Sequence, residues 1–254
     1  MDEKPVLLEE RDVQIIMAYA VPERLRKYEK VYKGLAEKYS SLRPPIERLE
    51  KGINTSPFEI IEKFKKEVSM CEVMILSFSL GSESKDEDKE DIEEGFGRLV
   101  ASGLEVCKMC RLGIAHDEEL LLNLITKAKE LSKEKNADPV KELESQEFRD
   151  TVFKAAFPTR KEAENNMNYS NQFIINIFKL AHYIFQADFK FLESTIKDEG
   201  SKDGKGFEDD VNAINEQIEE LKRNMKKLLA PEAIEAFIEE SKDYEMKEFD
   251  RIYG

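Results

Sequence analysis

PFEIIEKFKKEVSMCEVMILSFSLG, residues 57–81, decides the fold. Phe58, Ile61, Phe64, Val68, Cys71, Ile75 and Phe78 recur three or four residues apart, the period of one face of an α-helix. Asn54, Thr55 and Ser56, just ahead of it, offer side-chain oxygens to the unpaired N–H groups of a first turn. Pro57 suits that turn because its missing N–H is no loss there, and Glu59 and Glu62 favour the positive end of the helix. Gly81 is a suitable stop.

The same period extends outward on both sides. Leu8, Val13, Ile16, Met17 and Ala20 predict a short helix over 7–20. Pro22 is expected to open a second one, continuing through Leu25, Tyr28, Val31, Tyr32 and Leu35. Pro44-Pro45 should kink or break it, since each proline removes a donor and clashes with the preceding turn. Ile46, Leu49 and Ile53 resume the stripe. Beyond Gly81, residues 82–94 read as a solvated acidic connection. A helix is predicted from about Asp91 through Leu99, Val106, Met109 and Leu112, ending near 113–117, and another over 118–135. Asp138-Pro139 starts a new element. Phe148, Val152, Ala155 and Ala156 form an apolar face before Pro158, and 165–170 reads as a polar break. Residues 171–193 are the most apolar and aromatic stretch, expected to be a central buried helix. Residues 200–206 read as a loop. Val211, Ile214, Ile218, Leu221, Met225 and Leu228 then repeat as a helix–helix seam. Pro231 opens a last helix with Ile234, Phe237, Ile238 and Met246. The expected fold is all-α: an antiparallel superhelix or bundle of about nine or ten helices. It is read as one domain over 1–254, with 230–254 an extra C-terminal helix or tail.

Composition agrees. Of 254 residues, 37% are charged and none is Trp, and 11 Gly and 8 Pro are too few for an all-β chain of tight turns. The net charge of −14 argues against a general nucleic-acid binder and against adsorption to anionic lipid, both of which need a broad cationic surface. No apolar run reaches the roughly 18–20 residues that span a bilayer. Three cysteines outside any dense framework and an acidic N-terminus fit a soluble, cytoplasmic protein.

Sites of chemistry are sparse. Cys107-Lys108-Met109-Cys110 has metal and redox spacing, but zinc wants four ligands and only Cys71, His116 and His182 remain to supply others. Positions 107 and 110 share a helix face, so buried structural cysteines are the simpler reading. Asp86, Asp88, Glu90 and Asp91 resemble a calcium loop, but Asp91 stands where that loop needs Gly and Gly97 where it needs Glu. GSKDGKG, 200–206, lacks P-loop spacing. His116 is expected at a helix boundary and exposed; His182 is expected in a core. Neither has a nucleophile beside it, and no metal, cofactor or enzymatic constellation is expected.

One segment differs in kind. VYKGLAEKYSSLRPPIERLEK, residues 31–51, reads as a helix carrying Lys33, Lys38 and Arg43 on one side of an acidic protein. The three share a groove if the helix stays regular up to Pro44. The plainer reading is a solvated face with partners such as Glu29 for Lys33. VYK (31–33), SSLR (40–43) and RLEK (48–51) resemble, in order, the third helix of 14-3-3 proteins. EKFKKEVSMC (62–71) resembles that family's next helix, and LKRNM (221–225) its last.

The resemblance implies an antiparallel all-helical superhelix that forms homo- or heterodimers. It also implies binding of phosphoserine or phosphothreonine segments of client proteins, without chemistry. It places phosphate binding at Lys33 and Arg43, with Lys38 or Tyr39 where the family has a further Arg. Lys108 with Met109 falls where the family has an Arg-Tyr pair. Asn176 and Asn224 would hold the peptide backbone, and Leu221 would line the apolar wall. Phosphorylated clients are therefore the expected partners, with no nucleic acid and no membrane. The alternative is a helical scaffold of the curved coiled-coil, membrane-sculpting type.

Overall fold

The structure is a computed structural model that describes residues 8–80, 90–199, 212–213, 215–220, 222–223 and 230–254. Among the described residues it is all-α, with nine α-helices and no strand. They are α1 (Glu10–Lys27), α2 (Lys33–Lys38), α3 (Arg43–Gly52), α4 (Pro57–Leu80), α5 (Glu90–Glu134), α6 (Pro139–Glu142), α7 (Gln146–Ala156), α8 (Arg160–Glu199) and α9 (Pro231–Tyr253). None of the described helices is long and apolar enough to cross a membrane. Two compact units are present, one of Met1–Phe64, Gly113–Asn171 and Ala233–Gly254, the other of Lys65–Leu112 and Gln172–Glu232.

The start at Pro57 and the helix after Pro231 lie where the sequence puts them. Three expected breaks do not occur. Pro22 lies inside α1 rather than at its start. The helix tolerates it because Ile15 and Ile16 before it, and Val31 and Leu35 after it, are buried and hold both flanks. A π-helical turn, Tyr28–Tyr32, follows directly and widens the helix before α2. Residues 113–117 do not end a helix, and α5 runs through them for 45 residues. Ile114 is buried there, so packing overrides the weak propensity of Gly113. Residues 165–170 do not break the chain either, since α8 spans 40 residues through them. Met167 faces the core, and Tyr169 stacks on His116 with ring centroids 4.1 Å apart.

The break near Pro44 does occur, one turn early. Tyr39 is extended (φ −120°, ψ 105°), Ser40–Leu42 form a 3-10 turn, and α3 begins at Arg43 with both prolines in its first turn. At the other end of α5, Asn136 takes φ 52°, a left-handed value that Asn accepts. The N–H of Ala137 then closes the helix end on the Ser132 carbonyl at 2.9 Å.

The core of the first unit packs Ile15 and Ile16 of α1 against Leu124, Ile125 and Ala128 of α5, with Leu143, Phe148 and Val152 closing it. A second cluster joins Ala163 and Met167 of α8 to Phe249 of α9, with Phe153 and Phe157 beside them. In the other unit Val68 and Ile75 of α4 and Val106, Cys107 and Cys110 of α5 are buried. Of the expected seam, Ile218 is buried. Val211, Ile214, Leu221, Met225 and Leu228 lie outside the described residues, as do 81–89 and 200–211.

Candidate functional site

Lys33, Lys38 and Arg43 are all exposed and all belong to the first unit. They do not lie on one regular helix, because the extended Tyr39 separates α2 from α3. Each is placed differently. Lys33 opens α2. Lys38 closes it, with its ammonium 5.2 Å from the Tyr39 ring centroid. Arg43 folds back, its Nε donating to the Ala36 carbonyl at 3.2 Å, which returns the guanidinium toward α2. None of the three makes an ion pair with any described residue. The expected partner Glu29 is itself exposed.

Lys108 and Asn176 belong to the other unit. Lys108 is exposed and 3.6 Å from Glu105, while Asn176 is buried, its Oδ1 accepting from Gln172 at 3.4 Å. Leu221 and Asn224 lie outside the described residues.

The first unit also contains a charged cavity of about 220 Å³ that sequence reasoning missed. It lies among α1, α7 and α9, with Tyr19, Phe153 and Phe249 as its aromatic wall. Arg26 pairs with Glu23 and with Glu248 (3.1 Å), and its Nε donates to the Tyr244 hydroxyl at 2.9 Å. Lys27 reaches Glu245 at 2.5 Å. Arg251 grips Asp150 through Nη1 and Nη2, and Glu248 through Nη2 (2.8 Å) and Nε (3.2 Å). Arg149 reaches Glu23 at 3.2 Å. Arg24, also in the wall, donates to the carbonyls of Ile53 (3.3 Å) and Thr55 (2.7 Å).

The electrostatics fix these charge states. Burial by itself would lower the Lys27 pKa, but Tyr32 and Glu245 beside it win, and it stands above its ordinary value. Burial pushes the Tyr19 phenol far up, and Glu23, Glu245 and Asp150 push it further. Burial also raises Asp150, yet the hydrogen bonds from Arg251 and Gln146 outweigh it and hold the carboxyl below the usual range. Groups held this firmly in one state bind one another rather than trade protons near neutral pH. The sequence did contain a weak signal: Glu245, Glu248 and Arg251 are spaced for one helix face, as are Glu23, Arg26 and Lys27.

The other expectations resolve plainly. Cys107 and Cys110 are fully buried, as the structural reading expects, and all three cysteines are free. Burial pushes the Cys107 thiol up to about 12 and that of Cys110 to about 11. Among the described residues no group of three or more His, Cys, Asp or Glu is arranged to hold a metal ion. His116 is neither at a helix boundary nor fully exposed: it is half-buried inside α5, with Nδ1 3.7 Å from the Asp117 carboxylate. The cause is its stacking on Tyr169. The side chain of His182 lies outside the described residues. Comparison with protein-family models, with curated proteins and with solved structures finds no match for this chain.

Proposed function

We propose that this chain is a non-enzymatic adaptor that binds phosphoserine or phosphothreonine segments of client proteins in signalling, in the manner of a divergent 14-3-3 protein, as a homo- or heterodimer. One observation carries the reading. Lys33, Lys38 and Arg43 lie within eleven residues of each other, exposed and without a carboxylate partner among the described residues, on a chain of net charge −14. Arg26 and Lys27 of α1, by contrast, are held by carboxylates. A doubly charged phosphate gains most from cations that no internal carboxylate already holds.

The test is fluorescence anisotropy of a labelled phosphoserine peptide and its unphosphorylated twin. Lys33→Glu should weaken the phosphopeptide on the order of 30-fold, because a charge-assisted contact becomes a repulsion. Lys161→Glu, at an exposed lysine of α8 that makes no ion pair with any described residue, changes net charge equally and should leave binding within about twofold, the screened long-range effect. Equal loss in the two variants, or equal binding of the two peptides by wild type, would defeat the reading.

A helical scaffold is the second reading. It is favoured by the length of α5, 45 residues in one helix. Strong co-sedimentation with anionic liposomes at low salt would favour it over the adaptor.

A further inference from the structure

The three thiols come from two helices of one unit, Cys71 from α4 and Cys107 and Cys110 from α5. Two contacts fix how these helices meet. A methyl placed on Gly103 would stand 3.0 Å from Ile75 Cδ1, so the Ile75 side chain lies directly against α5 there. Arg111 then pairs with Glu72, its Nε 3.0 Å from Oε1, and its Nη2 lies 3.4 Å from the Ser69 hydroxyl. Rising residue numbers on α5 meet falling numbers on α4, so the two run antiparallel. Cys107 is one turn beyond Gly103, and Cys71 is one turn before Ile75. Counted from the Gly103–Ile75 contact, therefore, Cys71 and Cys107 stand at the same level. Cys110 is three residues further along α5, toward the Arg111 contact. Interhelical disulfides need unusually close backbones, with Cα atoms within about 7 Å. One turn away, Gly103 has no side chain to hold the helices apart, and Ile75 packs into the space it leaves.

We infer that Cys71 and Cys107 form an oxidative modification site, a reversible disulfide that clamps α4 to α5 and leaves Cys110 reduced. This goes beyond the adaptor reading and does not depend on it. Cys71 is half-buried while the other two thiols are fully buried, so a peroxide meets Cys71 first. Hydrogen peroxide oxidises the Cys71 thiol to the sulfenic acid and leaves as one water. The Cys107 sulfur then attacks that sulfur, the S–O bond breaks, and the hydroxyl leaves with the Cys107 proton as a second water. Burial holds the thiols mostly protonated, so the reaction is slow at neutral pH and quickens in mildly alkaline buffer.

The experiment treats the folded full chain with hydrogen peroxide and maps the cross-linked peptides by mass spectrometry after alkylation of the remaining thiols. The expected product joins residues 71 and 107 with Cys110 alkylated. It forms in wild type and Cys110→Ser, and not in Cys71→Ser or Cys107→Ser. Oxidised wild type should melt on the order of 10 °C higher, and the rise should vanish on adding a reducing thiol. A product joining 71 to 110, a cross-link between two chains, or a reduced folded chain under conditions that cross-link the urea-unfolded chain would each overturn the assignment. The wild-type peptide map decides this even if a serine variant does not fold.

Discussion

Replacing Arg149 by Ala should destabilise the first unit more than any surface substitution, for reasons that lie in the backbone rather than in its ion pair. Arg149 is only 8% exposed, on the first turn of α7. Its Nη1 donates to the carbonyls of Leu143 (2.6 Å) and Glu144 (3.1 Å), which follow the single turn of α6 and have no next helical turn to satisfy them. Its Nη2 donates to Gln146 Oε1 at 2.7 Å and its Nε to Glu23 at 3.2 Å. Removing the guanidinium strands the buried Leu143 carbonyl, at about 1–3 kcal/mol when left unpaired in a protein interior, and costs less at Glu144, an exposed residue whose carbonyl water can reach. Glu23 loses less, because it keeps Arg26 and is 30% exposed. The expected loss is about 3–5 kcal/mol, the range for stripping one partner from a buried polar cluster. Urea unfolding followed by circular dichroism at 222 nm measures it. Arg149→Lys should recover part of the loss, since an ammonium keeps the charge but cannot reach all four acceptors as the planar fork does. Glu23→Gln, which spares both carbonyl bonds, should cost about 1 kcal/mol. If Glu23→Gln cost as much as Arg149→Ala, the ion pair would dominate and the carbonyl argument would fail.

Two further outcomes follow from the same unit. The Asp150 carboxyl is held below its ordinary range in the folded chain. Its stabilisation is thus complete above the unfolded carboxylate pKa of about 3.9 and is lost as pH falls through the lower folded value. Asp150→Asn should be less stable than wild type at pH 7, and the gap in urea midpoints should close below about pH 3; a gap that widened in acid would refute the sign. Leu143, fully buried in the main cluster, should cost about 2–5 kcal/mol when cut to Ala, and a loss under about 1 kcal/mol in urea titration would show that the site collapses around the missing methyls.

Helix type was legible here because it is written locally, in spacing and in starts such as that at Pro57. The failures share one physical cause: a local breaker signals only a preference worth about 1–3 kcal/mol, and burial of the flanking residues can exceed it. Ile114 and Met167 are buried at two places where the chain reads as broken, and α5 and α8 continue through both. Arg149 was passed over for the opposite reason. The apolar stripe of Phe148 and Val152 gives the period of α7, but an arginine beside the stripe reads as solvated. Its burial is decided by the carbonyls after α6, whose need for a donor no periodicity announces.

The same limit governs the charged cavity. Glu23, Arg26 and Lys27 read as a helix surface, as do Glu245, Glu248 and Arg251. Only the folded chain shows that each set answers the other across more than 200 residues. This bears directly on the cation row. Had Lys33 been matched by a carboxylate on α9, as Lys27 is by Glu245, it would be one more structural contact with nothing left for a ligand. The Tyr32 ring, next to Lys33 in sequence, is instead stacked on Phe237 at 5.0 Å, so α9 meets that turn of chain through an aromatic face. Lys33 has no carboxylate partner among the described residues, and the proposed adaptor function needs such an uncompensated ammonium for a phosphate.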